Sequence, residues 1–191
     1  MNTQLRQVVL AVVLIVATTA PARAQGYLSP MLGLNFGGVS GCPGLRDCTN
    51  DQKNVSIAGG KFATIFGIEA ELASSPTFFG EATGLSSSVL TGMGNVMLGP
   101  RAGPVRPYVL AGAGIMQAHF ELSTPSVLTT HDTVLGYAIG GGVFALLGDR
   151  FGVRGDLRYF HSFREVIIQG VTLRSNKLNY SRIGGGLVIQ F

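Results

Sequence analysis

FGVRGDLRYFH, residues 151–161, sorts its side chains by alternate positions. Phe151, Val153, Leu157 and Tyr159 fall on one parity, and Arg154, Asp156 and Arg158 fall on the other. Period two is the mark of a strand, because successive side chains point to opposite faces of a sheet. One face here is oily and the other is ionic. A soluble sandwich shows the same alternation, so the segment selects a sheet but not yet its solvent.

The rhythm recurs on both sides of this stretch. In residues 65–74, Phe66, Ile68, Ala70 and Leu72 alternate with Gly67, Glu69 and Glu71. Near the end, Ile183, Leu187, Ile189 and Phe191 oppose Tyr180, Arg182 and Gln190. In residues 27–36, Leu28, Leu32, Leu34 and Phe36 share a parity with Pro30, while Ser29, Gly33 and Asn35 hold the other, with Met31 as its apolar exception. Segments 55–62, 86–98, 107–120 and 134–147 bring the predicted strands to eight. The gaps between them are 18, 2, 11, 8, 13, 3 and 16 residues long, alternately long and short. Outer-membrane barrels have short periplasmic turns and longer external loops, and an even strand number closes that pattern. The glycine-rich stretches 111–114, 140–142 and 184–186 discriminate less, since glycine serves tight curvature and buried sheets alike.

Composition points the same way. The chain is 46% hydrophobic and 13% charged, against about 25% charged in ordinary globular domains. Its 28 glycines argue against long helices. At the start, Arg6, the apolar run 8–19 and Ala22-Arg23-Ala24 make the three parts of a secretory signal peptide. The run is shorter than the roughly 20 residues that a spanning helix needs, so removal is preferred to a retained anchor. Residues 1–24 are thus expected to leave, with cleavage after Ala24, and 25–191 to form one domain. Without Arg6 and Arg23 the 14 basic residues become 12 against 10 acidic, which is no footprint for nucleic acid. Cys42 and Cys48, in CPGLRDC, read as a local disulfide of an exported chain. Zinc is the weaker reading, because the segment lacks further ligands.

GIEAEL (67–72), RPYVLAGAG (106–114) and YSRIGGGLVIQF (180–191) resemble the outer-membrane β-barrel domain family, which includes OmpA-like, OmpX-like and small porin-family proteins. The resemblance covers the expected mature chain and implies an all-β, eight-stranded antiparallel up-and-down transmembrane β-barrel in the cell outer membrane. It implies little about activity, since the family hosts adhesins, anchors, small pores and orphans. The terminal Phe191, after alternating apolar residues, resembles the signal read by the barrel-assembly machinery. A departure is the absence of Trp. Tyr27, Tyr108, Tyr137, Tyr159, Phe120, Phe151 and Phe163 would have to supply the interfacial aromatic belt.

An eight-stranded barrel is just wide enough for side chains to fill it. Glu69, Glu71, Arg154, Asp156, Arg158 and Arg182 share the parity expected to face inward, where buried charges must pair. A structural plug is preferred to a gate. His119, His131 and His161 fall at the expected external end, near Glu121, Asp132 and Glu165. They raise a metal site or a hydrolase built on His161-Ser162, but the His-x-Ser-Asn signature of barrel deacylases is not matched, and solvated interface residues are the preferred reading. Arg46, Arg164, Arg174 and Lys177 are candidates for lipopolysaccharide phosphates. The expectation is a non-enzymatic barrel without metal or cofactor, acting as a structural element, a surface-interaction protein or a small-solute pore. The alternatives are a lipid-modifying enzyme using rim His and Ser residues, and a soluble periplasmic lipid-binding barrel with an apolar interior.

Overall fold

A backbone whose side chains alternate between two solvents leaves its peptide groups to pair with neighbouring strands. In a membrane every such edge must find a partner, which only closure of the sheet provides. The computed structural model describes residues 25–38, 52–76, 85–122, 128–165 and 177–191. Its strands are β1 (Gln25–Phe36), β2 (Lys53–Phe62), β3 (Phe66–Ser75), β4 (Leu85–Leu98), β5 (Val105–Leu122), β6 (Leu128–Leu146), β7 (Phe151–Glu165) and β8 (Lys177–Gln190). Each pairs antiparallel with the next, and β1 pairs with β8, so the barrel is closed.

The register fixes the width of the barrel. From Gly26 the partners run through Lys61, Ile68, Val96, Ala111, Ile139, Tyr159 and Ser181, and return to β1 at Phe36. The circuit comes back ten residues up the strand. With eight strands and usual spacings, that stagger gives a tilt of about 40° and a backbone radius of about 8 Å. Such a bore holds side chains and little else.

The outer wall is apolar. Leu32, Val55, Ile68, Val96, Val109, Ile139, Val153, Leu157, Ile183 and Leu187 all stand on the outside. The opposite parity, with Glu69, Glu71, Arg154, Asp156, Arg158 and Arg182, is buried inside. A soluble barrel would carry its apolar parity inward, so that alternative does not hold. Met31, the exception in its segment, packs inside as the parity of Ser29 demands. The ends of the described barrel, Gln25 and Phe191, and the turns 63–65, 99–104 and 147–150 lie at one end of the barrel. Gly103 and Gly148 take positive φ in two of these turns, where a side chain would be strained.

One expected connection is mostly strand. Instead of a gap over 121–133, β5 and β6 stay paired as far as Leu122 and Leu128. The 123–127 connection is shorter than the 99–104 turn, so the long-short alternation fails at this hairpin. The apolar alternation of both strands fades near Phe120 and Val134, but the ladder needs only a neighbour and not a lipid. Strands of 18 and 19 residues reach about 60 Å at the usual rise. Even tilted, they outrun an apolar band about 25 Å tall. β7 likewise extends to Glu165, which pairs with Lys177 beyond a register shift after His161.

Candidate functional site: the barrel interior

β3 and β7 are four strands apart in a ring of eight, so their inner faces look at each other across the bore. β3 contributes Glu69 and Glu71, β7 contributes Arg154, Asp156 and Arg158, and β8 adds Arg182. These are three carboxylates and three guanidiniums, a set without net charge. The structure brings all six together. Arg154 Nη1 contacts Glu69 Oε2, and Arg158 Nη1 contacts Glu71 Oε2. Arg158 Nη2 also reaches Glu69 Oε1 at 3.2 Å and Asp156 Oδ2 at 2.7 Å. Arg182 Nη1 lies 3.1 Å from Glu71 Oε1 and donates to Asn54 Oδ1 at 3.0 Å. Arg158, at the hub, is 1% exposed.

Neutral donors complete the set. Tyr27 Oη donates to Glu69 Oε2 at 2.6 Å, and Asn95 Nδ2 donates to Glu69 Oε1 at 3.1 Å. Tyr108 Oη donates to Asp156 Oδ2 at 2.9 Å and accepts from Arg154 Nε at 2.8 Å. Arg154 also stacks its guanidinium 4.8 Å from the centre of the Phe144 ring, and Arg182 lies 4.3 Å from Phe160. Tyr27 and Tyr108 therefore do not belong to the aromatic belt. Their parity is that of Ser29 and Leu110, which is inward, whereas their nearness to strand ends suggested an interface. Tyr137, Tyr159, Phe151 and Phe163 do face outward, and the side chain of Phe120 lies outside the described residues. Asn54, Asn95 and Phe144 were not singled out in the sequence. Inward parity was their only signal.

The charged layer has a cover on either side. Toward the chain ends, Tyr27, Phe62, Met97, Tyr108, Leu110, Phe144 and Val188 form one apolar cluster. Toward the loops, Val89, Met93, Met116, Val134, Ala138, Phe160, Leu178 and Tyr180 form another along β4 to β8. The remaining loop-side arc, on β1 to β3, is polar and tied together. Asn35 and Asn54 each donate to Ser75 Oγ, at 2.8 and 3.0 Å. Thin walls make room for these large side chains. A Cβ added at Gly142 would come within 2.6 Å of Tyr108 Oη and of the Asp156 Cβ, and one at Gly112 within 2.1 Å of Asn95 Oδ1.

His161 and Ser162 are neighbours in sequence and opposites in space. Ser162 is wholly buried in the lumen, where its Oγ accepts from the Leu178 amide at 2.9 Å. His161 stands on the outer wall among Tyr137 and Tyr159, whose ring centroids lie 5.4 and 6.2 Å from its own. The two cannot act as base and nucleophile on one substrate. His119 and His131 are directly opposite each other in the β5–β6 ladder, and their side chains, like those of Glu121, Asp132, Arg164, Glu165 and Lys177, lie outside the described residues. So do Cys42, Arg46, Cys48 and Arg174. Among the described residues no cluster of His, Cys, Asp and Glu is arranged to hold a metal ion. At the seam, Phe191 and Gly26 exchange amide-to-carbonyl hydrogen bonds of 3.0 Å, and the Phe191 ring lies over Gly26.

Several known proteins share this architecture. Neisserial surface protein A is 13% identical and superposes with a TM-score of 0.58, over 88% of this chain and 96% of its own. The N-terminal barrel of OprF from Pseudomonas aeruginosa is 12% identical, with a TM-score of 0.55 over 88% and 98%. Ail, the attachment invasion locus protein of Yersinia pestis, is 13% identical, with a TM-score of 0.56 over 88% and 99%. At these identities the likeness is one of fold. Among curated proteins none matches the chain in sequence. The family model for the outer membrane protein beta-barrel domain matches residues 8–191. With that match, and an apolar wall closed around a charged interior, the chain belongs to the outer-membrane β-barrel protein family and resides in the bacterial outer membrane.

Proposed function

We propose that this chain is a non-enzymatic outer-membrane barrel whose lumen is a static plug, and that it acts through its outer surface and loop-side extensions rather than by passing solutes. One observation supports the reading: the neutral Glu/Arg layer has an apolar cluster toward each mouth, and the hydrogen-bonded Asn35, Asn54 and Ser75 fill the rest of the loop-side arc. A pore would require the six charged groups and at least one apolar layer to move together. Buried ion pairs of this kind are costly to separate, because each freed charge would stay in a low dielectric. An enzyme would need a nucleophile and a base on one face, and His161 and Ser162 point apart. Reconstitution in planar bilayers tests the plug. The expected result is a silent membrane in concentrated potassium chloride, and reproducible unitary steps would overturn the reading.

The biogenesis that fits this role begins with export. Residues 1–24 direct secretion and are removed, Phe191 engages the assembly machinery at the closing seam, and Cys42 and Cys48 oxidise to a disulfide in the first loop-side connection. Arg46, Arg164, Arg174 and Lys177, on the loop side, are placed by sequence where lipopolysaccharide phosphates lie, and Arg and Lys suit such groups.

A further inference from the structure

The charged residues of the described chain fall into three groups by height. The lumen holds three acids and three bases. The loop-side strand ends hold Lys53, Arg164 and Lys177 against Glu121, Asp132 and Glu165, again neutral. The rim at the chain ends carries Lys61, Arg101, Arg106 and Arg150 against Asp149 alone. The entire surplus of positive charge among the described residues therefore stands on one rim.

That rim is built, and its height is marked. Phe66, Phe151 and Phe191 point outward there, at 65%, 64% and 76% exposure, and they set the edge of the apolar band. Arg106 holds its guanidinium 4.4 Å from the centre of the Phe62 ring, beside a small cleft lined by Tyr27, Phe144, Leu146 and Gln190. Arg101 stands in the adjoining 99–104 turn, its Nε donating to the Gly103 carbonyl at 3.3 Å. The turn is anchored by hydrogen bonds between Ala102 and Val105 and by the Leu146 amide donating to the Pro104 carbonyl at 2.7 Å. Arg150 is anchored as well, its carbonyl accepting from the Gln190 amide at 2.8 Å. Lys61 stands on the lipid-facing wall, across from Ile68 and Gly26.

From this placement we infer that the chain-end rim is a binding surface for anionic phospholipid headgroups of the periplasmic leaflet. Arg106 sits over the lumen mouth, while Lys61, Arg101 and Arg150, held at headgroup height beside Asp149, complement a ring of phosphates, and Arg pairs with phosphate oxygens through two parallel N–H groups. The test is native mass spectrometry of the full chain released from nanodiscs of phosphatidylglycerol and phosphatidylcholine in equal parts. The wild type should retain phosphatidylglycerol in preference. Arg101→Gln with Arg150→Gln should lower that preference about fivefold for each charge removed. Arg101→Lys with Arg150→Lys should keep most of it, and Lys53→Gln, on the loop side, should leave it unchanged. Equal retention of both lipids by the wild type would overturn the proposal, as would an undiminished preference in the glutamine variant or a loss produced by Lys53→Gln. Millimolar inorganic phosphate should not displace the lipid; if it does, the rim binds free phosphate and the lipid assignment fails.

Discussion

Glu69 shares its two oxygens among Arg154, Arg158, Tyr27 and Asn95, so its loss leaves two buried guanidiniums short of charge. Glu69→Gln should destabilise the folded barrel by about 3–5 kcal/mol, the range for breaking one side of a buried pair. Combined with Arg154→Met it should cost less than the sum of the two singles, since the two side chains touch. Urea unfolding in lipid vesicles measures both, and strict additivity would contradict the shared network. Glycine gives a second contrast at this scale. Gly142→Ala drives a methyl against Tyr108 and Asp156 and should cost about 1–3 kcal/mol from overpacking. Gly59→Ala adds one on the lipid face, with nothing nearer than 3.6 Å, and should cost little. A reversed order would place the glycines on the wrong walls. The inward parity of the six charged residues could be read from their alternation with apolar neighbours. The lumenal places of Tyr27 and Tyr108 could not be read from position, because a tyrosine near a strand end suits an interface as well as a plug. Only its parity tells them apart.

At the scale of the strand, lipid is a harsher judge than packing. Val153 and Leu157 stand on the outer wall of β7 between the inward Arg154, Asp156 and Arg158. Val153→Arg or Leu157→Arg should cost about 2–4 kcal/mol if the site lies near the midplane, falling toward 0–1 at the interface. The heat-modifiable gel shift of the variants measures it, and a harmless Arg at both positions would contradict the wall. Strand existence and parity were legible because the bilayer imposes alternation on each crossing. Strand length was not. Past Phe120 the sequence carries no sustained alternation of apolar and polar residues, although the ladder continues from Phe120 with Thr130 to Leu122 with Leu128. The polar residues Thr129, Thr130 and Asp132 therefore read as loop.

For the whole molecule, closure joins the two scales. Eight strands with a stagger of ten give a bore that six charged side chains, two tyrosines and the apolar layers occupy. The outside then has to be lipid, because the apolar parity has no other partner. The absence of Trp makes this directly measurable against a dark background. Single variants Val153→Trp, Leu157→Trp, Phe144→Trp and Phe160→Trp, reconstituted in vesicles, would be exposed in turn to brominated lipid and to aqueous iodide. Brominated lipid should quench the first two strongly and the last two weakly, and iodide should quench none of the four. Iodide quenching at Phe144→Trp or Phe160→Trp would reveal a wet lumen, and weak quenching by brominated lipid at Val153→Trp and Leu157→Trp would contradict the lipid-facing wall.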